Sequence, residues 1–379
     1  MRVLIAPDCF GGTLTAREAA DAIATGWREA KPDDVVTQRP LADGGPGFVD
    51  VLHAALNGDI RYITVTGPLG EPVEARWLSV HTASLDGDSP DSASPVVDSP
   101  NAGGRRVAYI ESAEACGLHL IPAELRPQSC ETATTRGVGE LIRAAAVDND
   151  VIYIGLGGSG TTDGGAGMLA ALSGASAHDD AVVDTDTDDG VVDLTGTSLV
   201  VASDVENPLL GPHGAARTFG PQKGASPEAV ERLEAKLAAM DVLKPVADIS
   251  GAGAAGGLGA ALLSLGATVT SGAGLVRELT GLDAALDDAD VVVTGEGSFD
   301  WQSLRGKLIT AVASGAAERG IPCVAVAGQV SVGRREMGAA GVQEAYSVSE
   351  HVGSVQKAMA EARASLVETA RHVANQWSR

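Results

Sequence analysis

Short apolar runs alternate with amphipathic stretches at the beginning of the chain. The run RVLIA at residues 2–6 ends in Pro-Asp, which predicts a short buried strand of a parallel sheet. Thr15 and Glu18 then form a capping-box pattern, in which each side chain can bond the other residue's backbone amide at a helix start. Apolar residues follow at helical spacing up to Trp27, so one face of this helix must pack against a sheet. The pattern predicts a strand–helix unit, with a second helix at Phe48–Leu56.

The last hundred residues show the same alternation. Apolar runs at residues 291–294 and 323–327 predict buried strands, and residues 308–318 and 355–377 predict helices. Between the two ends, the regular alternation of strand and helix patterns is lost, and strands are predicted at residues 60–66, 76–80 and 107–111. We therefore predict an α/β protein whose two ends form one discontinuous domain, residues 1–66 plus 284–379. Residues 67–283 would form an inserted α/β domain.

Three biased stretches interrupt this alternation. Residues 85–104 predict an exposed loop, and residues 179–193 a solvated acidic hairpin, because an EF-hand there would lack its final Glu. Residues 249–276 carry no charge over 28 positions but contain eight glycines. Each glycine costs a helix about 1 kcal/mol relative to alanine, so we predict loops and a short packed helix rather than a membrane span.

The composition limits the partners of the protein. The 379 residues include 27 basic and 50 acidic side chains, which gives a net charge of −23 at pH 7. This charge argues against nucleic acid, whose phosphates require clustered Lys and Arg. The four cysteines have no C-x-x-C spacing and indicate neither a zinc site nor disulfides, and no signal-peptide pattern is present. We expect a cytoplasmic monomer or homodimer with a small-molecule partner and no nucleic-acid or membrane partner.

Five glycine-rich segments place charged residues where the backbone can approach a ligand. They are residues 42–45, 155–167, 202–223, 251–259 and 294–307. Glycine removes the side chain that would block a phosphate, and a helix that begins after such a loop favours an anion. Carboxylates near predicted strand ends can hold Mg²⁺ or accept a hydroxyl proton, and lysines beside the loops can neutralise phosphate. These carboxylates are Asp43, Asp163, Asp204, Glu296 and Asp300, and the lysines are Lys223 and Lys307.

These parts suit phosphoryl transfer, but other interpretations stay open. The sequence contains neither a Walker A motif nor the protein-kinase motifs. Residues 251–256 match G-x-G-x-x-G, yet residues 245–250 before them make a poor strand, which argues against a dinucleotide oxidoreductase. Each aspartate could instead be a helix N-cap, and each glycine-rich turn could simply close a tight connection. From residue patterns alone we infer an α/β enzyme that binds a phosphorylated or anionic small molecule.

The same segments resemble the bacterial type I glycerate kinase family nearly end to end. APDCFGGTL at residues 6–14 resembles the family's A-P-D-S-F-K-G-[ST]-L, and LADGGPG at residues 41–47 resembles L-A-D-G-G-E-G. GLGGSGTTDGGAGM at residues 155–168 resembles G-x-G-G-S-A-T-N-D-G-G-A-G-M. The stretches that begin at Asp204, Gly251 and Val293 match their counterparts closely.

The resemblance implies ATP-dependent phosphorylation of D-glycerate with Mg²⁺, usually to 2-phosphoglycerate. It also implies a flavodoxin-like domain from both chain ends and an inserted restriction-endonuclease-like domain, with the active site in the cleft between them. The residues assigned through it are catalytic Asp163, Asp300 and Lys307; substrate-binding Asp43, Gly44, Gly45, Ser159, Asn207 and Lys223; cofactor-binding Gly157, Gly158, Gly253, Gly256 and Gly257; and metal-binding Asp204 and Glu296. Asp163 or Asp300 would be the base at the glycerate hydroxyl. The two lysines would contact substrate carboxylate or nucleotide phosphate.

Four positions depart from the family pattern. Gly11 stands where the family has lysine, Cys9 where it has serine, Pro46 where it has an acidic residue, and Thr162 where it has asparagine. Three of the four lie in the first two motifs, and a proline cannot replace a carboxylate. They motivate a second hypothesis, in which the chain is a non-catalytic or altered-specificity homologue that binds nucleotide or another small hydroxy acid.

Overall fold

The computed structural model describes residues 1–82, 104–174, 192, 194–301, 303–304 and 308–378. The loop predicted at residues 85–104 and the hairpin predicted at residues 179–193 lie outside the described residues, apart from Gly104 and Val192. The predicted catalytic Lys307 lies outside them as well. Across the described part of the chain, helices are too short or too polar to cross a membrane.

Strands and helices alternate along most of the described chain. The strands are β1 (Arg2–Pro7), β2 (Val35–Gln38), β3 (Asp59–Thr66), β4 (Pro72–His81), β5 (Arg106–Glu111), β6 (Val151–Gly155), β7 (Ser198–Ala202), β8 (Thr268–Thr270), β9 (Val291–Phe299), β10 (Cys323–Val330) and β11 (Glu344–Ser347). The helices are α1 (Ala16–Ala30), α2 (Phe48–Leu56), α3 (Ala113–Cys116), α4 (Arg126–Ser129), α5 (Arg136–Ala146), α6 (Ala166–Leu172), α7 (Ala215–Phe219), α8 (Pro227–Ala238), α9 (Leu258–Ser264), α10 (Gly272–Leu279), α11 (Leu282–Asp287), α12 (Leu308–Glu318), α13 (Arg334–Ala339), α14 (Val348–Val352), α15 (Val355–Ala360) and α16 (Ala362–Trp377).

The chain divides into two compact units. Unit 1 comprises Met1–Asp43, Asp50–Ala55 and Gly272–Arg379, and unit 2 comprises Gly44–Val49 and Leu56–Ser271. Each unit has its own sheet and its own buried core. The sheets are parallel for most of their width, which confirms the predicted α/β class.

Unit 1 is built on a five-stranded parallel sheet in the order β11–β10–β9–β1–β2. Counted along this unit, the order is the 2-1-3-4-5 of doubly wound folds, and the winding direction reverses between β1 and β9. Helices α1 and α16 pack closely, because a Cβ on Gly26 would lie 2.2 Å from the carbonyl oxygen of Val367. Sheets of this type bind ligands beyond the carboxyl ends of the strands at the point of reversal. The ends of β1 and β9 are therefore the first place to look for a site.

Unit 2 is built on a six-stranded mixed sheet in the order β3–β4–β5–β6–β7–β8. β3, β4 and β5 are antiparallel neighbours, whereas β5 to β8 run parallel. Buried apolar residues of the parallel strands, such as Ile110 and Ile154, pack with Leu141 and Ile142 of α5. The parallel strands end in register, because Glu111 of β5 pairs with Gly155 of β6, and Gly155 pairs with Ala202 of β7.

Two predicted elements differ from the structure. β9 continues to Phe299, five residues beyond the predicted strand, because β10 also extends and pairs Gln329 with Ser298. Glu296 therefore lies within a strand rather than beyond its end. The prediction of one helix over residues 355–377 is wrong, since α15 and α16 are separated at Glu361, whose φ of −117° and ψ of 41° are not helical. The first part of this segment is not packed into the core, since Met359 is 59% exposed.

Candidate active site

The carboxyl ends of β1 and β9 in unit 1 bring three carboxylates into electrostatic contact. Asp8 follows β1, and its backbone N–H donates to the carbonyl oxygen of Gly295 in β9 at 2.8 Å. The packing around Asp8, and then the negative charges of Asp43 and Glu296, raise the pKa of its carboxyl well above the usual value. Asp43 and Glu296 were predicted from the sequence. The structure adds Asp8 to them.

The loop between β1 and α1 exposes glycine backbone in the same unit. Gly11 and Gly12 are exposed, and a Cβ added to either residue would meet no atom within 4 Å. The loop lies next to β9, because a Cβ on Gly297 would lie 3.0 Å from the backbone nitrogen of Gly11. An anionic group can approach the backbone here. No lysine side chain stands at position 11 to attract it.

Asp300 follows directly after β9 and is partly buried. Its backbone N–H donates to Ser303 Oγ at 3.2 Å, and this hydroxyl donates to the carbonyl oxygen of Ser298 at 3.2 Å. These bonds fold the turn that carries Asp300 at the end of the strand. The structure therefore places Asp300 in the same unit as Asp43 and Glu296.

In unit 2, the glycine-rich segments bond directly to one another. The Gly157 N–H donates to the carbonyl oxygen of Gly44 at 3.0 Å, which joins the second segment to the end of the first. The Gly164 N–H donates to the carbonyl oxygen of Gly256 at 3.1 Å. The Gly253 N–H donates to the carbonyl oxygen of Asn207 at 2.9 Å.

The glycines predicted to bind cofactor are packed against protein backbone or side chains. A Cβ would lie 2.4 Å from Gly45 Cα at Gly157, 2.3 Å from the Pro208 carbonyl oxygen at Gly253, and 2.1 Å from the Thr161 carbonyl oxygen at Gly256. Gly158 and Gly257 have similar contacts at 2.8 and 2.9 Å, and positive φ angles of 76° and 92°. These contacts alone require glycine, because real Cβ atoms essentially never approach so closely. Direct contact of these five residues with a cofactor stays a prediction.

Asp163 holds the segment at residues 155–167 in place. One of its oxygens, Oδ2, accepts from the Thr135 N–H at 2.9 Å, from the Thr135 hydroxyl at 2.8 Å and from the Gly167 N–H at 3.1 Å. Oδ1 accepts from the Gly165 N–H at 3.0 Å. The side chain is 5% exposed. Its contacts are those of a buried carboxylate that organises a loop and the start of α6.

Lys223 points inward, toward the same segment. Its Nζ donates to Ser159 Oγ at 2.9 Å and to the Thr161 carbonyl oxygen at 2.6 Å, and the residue is 3% exposed. Burial lowers the pKa of this ammonium to about 8, while the nearby Cys116 and Asp163 act in the opposite direction. An ammonium group has three donors, so two bonds leave it one further N–H to share. Lys223 and Ser159, both predicted substrate ligands, thus contact each other.

Three buried hydroxyls belong to the same unit. Those of Ser112 and Thr161 interact with the Cys116 thiol, whereas Thr162 Oγ1 has no hydrogen-bond partner among the described residues. Buried polar groups are normally hydrogen-bonded, so the Thr162 hydroxyl can satisfy a further polar group or water. Thr162 is one of the four positions that depart from the family pattern.

Asp204 and Asn207 lie after β7. Ser271 Oγ donates to Asp204 Oδ1 at 2.6 Å, and Asn207 Nδ2 donates to the His213 carbonyl oxygen at 2.7 Å. Both side chains are partly exposed. The metal ligands predicted from the sequence therefore belong to different units, Asp204 to unit 2 and Glu296 to unit 1.

The donor set suits a hard cation. Within the described ranges, no three His, Cys, Asp or Glu side chains converge into a cage for a metal ion. Mg²⁺, however, is commonly held by one or two carboxylates together with water and substrate phosphates. Asp8, Asp43 and Glu296 in unit 1, and Asp204 in unit 2, provide carboxylates of this kind.

Sequence reasoning missed three polar residues of these regions. Asp8 was signalled by its place directly after an apolar run, and Glu111 by its place at the end of a predicted strand. Glu111 is 4% exposed, and its Oε2 accepts from the Gly47 N–H at 3.0 Å. Nothing in the sequence singles out Thr135, whose amide and hydroxyl both bond Asp163.

A family model, relatives of similar sequence and a solved structure all relate this chain to the same family. Residues 3–378 match the model of the glycerate kinase family. The chain is 43% identical over 381 residues to an uncharacterised protein from Mycobacterium bovis, covering 99% of this chain and 91% of the relative. It is 38% identical over 397 residues to glycerate 2-kinase from Escherichia coli K12, covering 99% and 97%. A crystal structure from Salmonella typhimurium LT2, described as a glycerate kinase 2, is 36% identical, covers 99% of this chain and 98% of that chain, and has a TM-score of 0.67.

Proposed function

The chain belongs to the glycerate kinase family, and from this we propose that it transfers the γ-phosphoryl group of ATP to the 2-hydroxyl of D-glycerate, yielding 2-phosphoglycerate. The observation that carries the proposal is the match of the family over residues 3–378, which includes every segment in which we predicted chemistry. The relative named glycerate 2-kinase favours the 2-hydroxyl as the acceptor. Because ATP is the phosphoryl donor, we further propose that the protein works in the cytoplasm.

We assign charge neutralisation of the triphosphate to the carboxylate group of unit 1. Asp8, Asp43 and Glu296 would hold Mg²⁺, which supplies Lewis-acid stabilisation of phosphate charge when bound. The exposed backbone at Gly11 and Gly12 offers N–H groups that phosphate oxygens can approach. Carboxylates alone would repel a triphosphate, so this assignment depends on a cation.

We assign the general base to Asp300. The sequence motifs leave Asp163 and Asp300 as alternatives for the base, and their contacts favour Asp300. Asp163 is buried and accepts four hydrogen bonds, whereas Asp300 is partly buried at the end of β9. A base must reach the proton that it abstracts, which favours the more accessible carboxylate. Asp300 would take the proton of the glycerate hydroxyl as the bond to phosphorus forms.

We assign recognition of an anionic group to Lys223 and its surroundings. The ammonium is buried and has one donor beyond its two bonds to Ser159 and Thr161. A cation with little access to water attracts a carboxylate or phosphate more strongly than an exposed cation does. The carboxylate of glycerate would supply the negative charge. Lys307 would serve the nucleotide phosphates.

The decisive experiment measures ADP release by the purified chain with ATP, Mg²⁺ and D-glycerate. We expect saturable turnover with D-glycerate, and weaker turnover with L-glycerate, glycolate and lactate. An Asp300→Asn variant serves as the matched control for contaminating kinases. ³¹P NMR of the product, compared with both phosphoglycerate isomers, identifies the hydroxyl that is phosphorylated.

The departures at positions 9, 11 and 46 favour a second candidate, a homologue that binds without turnover. It predicts no ADP release with any hydroxy acid of the panel, together with thermal stabilisation by ATP and Mg²⁺. A ligand at 100 times its Kd stabilises the folded state by about 2.7 kcal/mol, which a thermal shift detects easily. Turnover with D-glycerate at enzyme-like rates would eliminate this candidate.

A further inference from the structure

Glu111 is a buried carboxyl group that none of the proposed catalytic roles uses. It ends β5, at the carboxyl edge of the parallel part of the sheet in unit 2, and is 4% exposed. Its Oε2 accepts from the Gly47 N–H at 3.0 Å, and the Val49 N–H also bonds its carboxyl group. Gly47 and Val49 lie at the start of α2, where backbone N–H groups have no partner within the helix. Glu111 therefore caps α2 from a different element.

The segment at residues 44–48, which precedes and begins α2, also packs against β5 and the end of β6. A Cβ on Gly155 would lie 2.4 Å from the Gly44 carbonyl oxygen, and a Cβ on Gly158 would lie 2.8 Å from Pro46 Cδ. The following Phe48 packs edge to face against Tyr109 of β5, with ring centroids 6.2 Å apart. The segment at residues 44–48 thus rests on β5 and β6 along its length. Glu111 is its polar attachment at the helix end.

We propose that Glu111 is a positioning residue for phosphoryl transfer, which fixes the segment Gly44–Val49 by accepting its backbone N–H groups. Gly44 and Gly45, predicted to bind substrate, belong to this segment, and Asp43 directly precedes it. Their backbone can hold one geometry only if the segment does not open. The kinetic part of this inference rests on the proposed glycerate kinase activity, whereas the structural part does not.

The surroundings of Glu111 make this attachment sensitive to pH. Burial, and then the negative charge of Glu114, raise the pKa of Glu111 to about 8, while the Gly47 and Val49 amides and the Arg76 guanidinium act in the opposite direction. Arg76 is itself paired with Glu114, with Nε to Oε1 at 2.8 Å. Above pH 8 Glu111 is ionised while it is buried beside Glu114, and its bonds to the two amides and the charge of Arg76 offset this cost only in part. We expect the segment to open there so that water can reach the carboxylate.

The first test is hydrogen exchange of peptides that cover residues 44–49. At pH 7 we expect the Glu111→Ala variant to exchange at least about tenfold faster than the wild type at these amides, since the Gly47 and Val49 N–H groups both lose their acceptor. Glu111→Gln keeps an acceptor oxygen and should restore most of the protection. Glu114→Gln is the matched control, because it removes a nearby carboxylate that bonds neither amide. Equal exchange in Glu111→Ala and wild type would overturn the proposal.

The second test is the pH profile of kcat/KM for D-glycerate from pH 6 to 9. We expect the wild type to lose activity as pH rises above about 8, and Glu111→Gln to lack this decline. Glu114→Gln should show the decline at a lower pH, because the negative charge that helps to raise the pKa of Glu111 is removed. Glu111→Ala should lose about tenfold in kcat/KM at pH 7, with most of the loss recovered in Glu111→Gln. An unchanged decline in Glu111→Gln refutes the positioning role. If the wild type shows no turnover, the proposed function has failed, and the exchange experiment alone decides the attachment.

Discussion

Glycine at position 11 leaves the loop after β1 without a cation, next to β9 and its Glu296. A side chain would fit there, since a Cβ on Gly11 meets no atom within 4 Å. We predict that Gly11→Lys lowers the KM for ATP by roughly threefold to fivefold, because an exposed charge pair contributes about 0.5–1 kcal/mol. The measurement is KM at low and high salt. The gain should shrink in 0.5 M NaCl. A KM equal to that of the wild type at low salt would show that no anion binds near this loop.

Asp163 and Asp300 should respond differently to replacement by asparagine. In Asp163→Asn an amide NH₂ faces backbone donors, so we expect a loss of about 2–4 kcal/mol in the free energy of unfolding. Asp300→Asn should unfold within about 0.5 kcal/mol of the wild type but lose at least roughly 100-fold in kcat. Urea denaturation and steady-state kinetics measure the two quantities. A stable Asp163→Asn with the larger loss of kcat would reverse the assignment of the base.

Glu111 should make the stability of the protein decrease with pH. Its folded pKa of about 8 lies above its ordinary value of 4.5, so between these pH values the folded state binds more protons than the unfolded state. Stability from this group is complete below pH 4.5 and is lost as pH rises to about 8. Relative to wild type, Glu111→Gln should therefore gain about 2–4 kcal/mol between pH 5 and pH 8, and no more above it. Parallel stability curves would contradict the raised pKa.

At the scale of single residues, the sequence identified candidate site residues that belong to motifs, but not residues whose role comes from contacts with distant parts of the chain. Asp43, Glu296 and Asp300 stood out because each belongs to a glycine-rich segment near a strand end. Glu111 belongs to no such segment, and its importance comes from Gly47, 64 positions away in the chain. Likewise, the four donors to Asp163 include two from Thr135, which no pattern near Asp163 reveals. Hydrogen-bond partners that are distant in sequence can be identified only when the arrangement of the strands in the sheet is known.

At the scale of elements, the glycine-rich segments owe much of their composition to packing. Gly256 has a φ of 68°, and its Cβ would lie 2.1 Å from the Thr161 carbonyl oxygen, whereas Gly266 has a φ of 88° and open space around it. We predict that Gly256→Ala destabilises the fold by at least about 3 kcal/mol, and Gly266→Ala by only about 1 kcal/mol. Thermal unfolding of both variants measures the difference. Equal effects would mean that backbone strain, and not the contact, sets the requirement for glycine.

The elements themselves were predicted where the local signal was strong. The capping box at Thr15 forms as expected, with the Glu18 N–H donating to the Thr15 hydroxyl at 3.2 Å and Glu18 Oε2 accepting from the Thr15 N–H at 2.9 Å. The extension of β9 was missed because GEGSF at residues 295–299 contains two glycines, a glutamate and a serine, which have little strand preference, and because pairing with β10 stabilises it. The break at Glu361 was missed because helical spacing continues across it. Hydrophobic periodicity shows which side of a helix is apolar, but it does not show where one helix ends and the next begins in another direction.

At the scale of the whole molecule, the net charge of −23 opposes compaction. We predict that the unfolding temperature rises when NaCl is increased from 20 mM to 500 mM, because salt screens repulsion between like charges more than it weakens the exposed ion pairs. Differential scanning calorimetry at pH 7 measures this change. Uncharged sucrose at matched osmolality is a control for effects that do not involve charge. If the unfolding temperature fell with added NaCl, the exposed ion pairs, such as those of Arg319, would stabilise the fold more than the repulsion between like charges destabilises it.

The position of β1 bears on how the protein is made. Val3 pairs with Val36 on one side and with Val291 on the other, so β1 occupies an inner place in its sheet. That place is completed only when almost 290 further residues have been translated, whereas Leu56–Ser271 can close its own sheet much earlier. Contacts of such long sequence separation form slowly. During synthesis β1 therefore stays without its β9 neighbour while the intervening residues are translated, and its apolar side chains are exposed to aggregation over that interval.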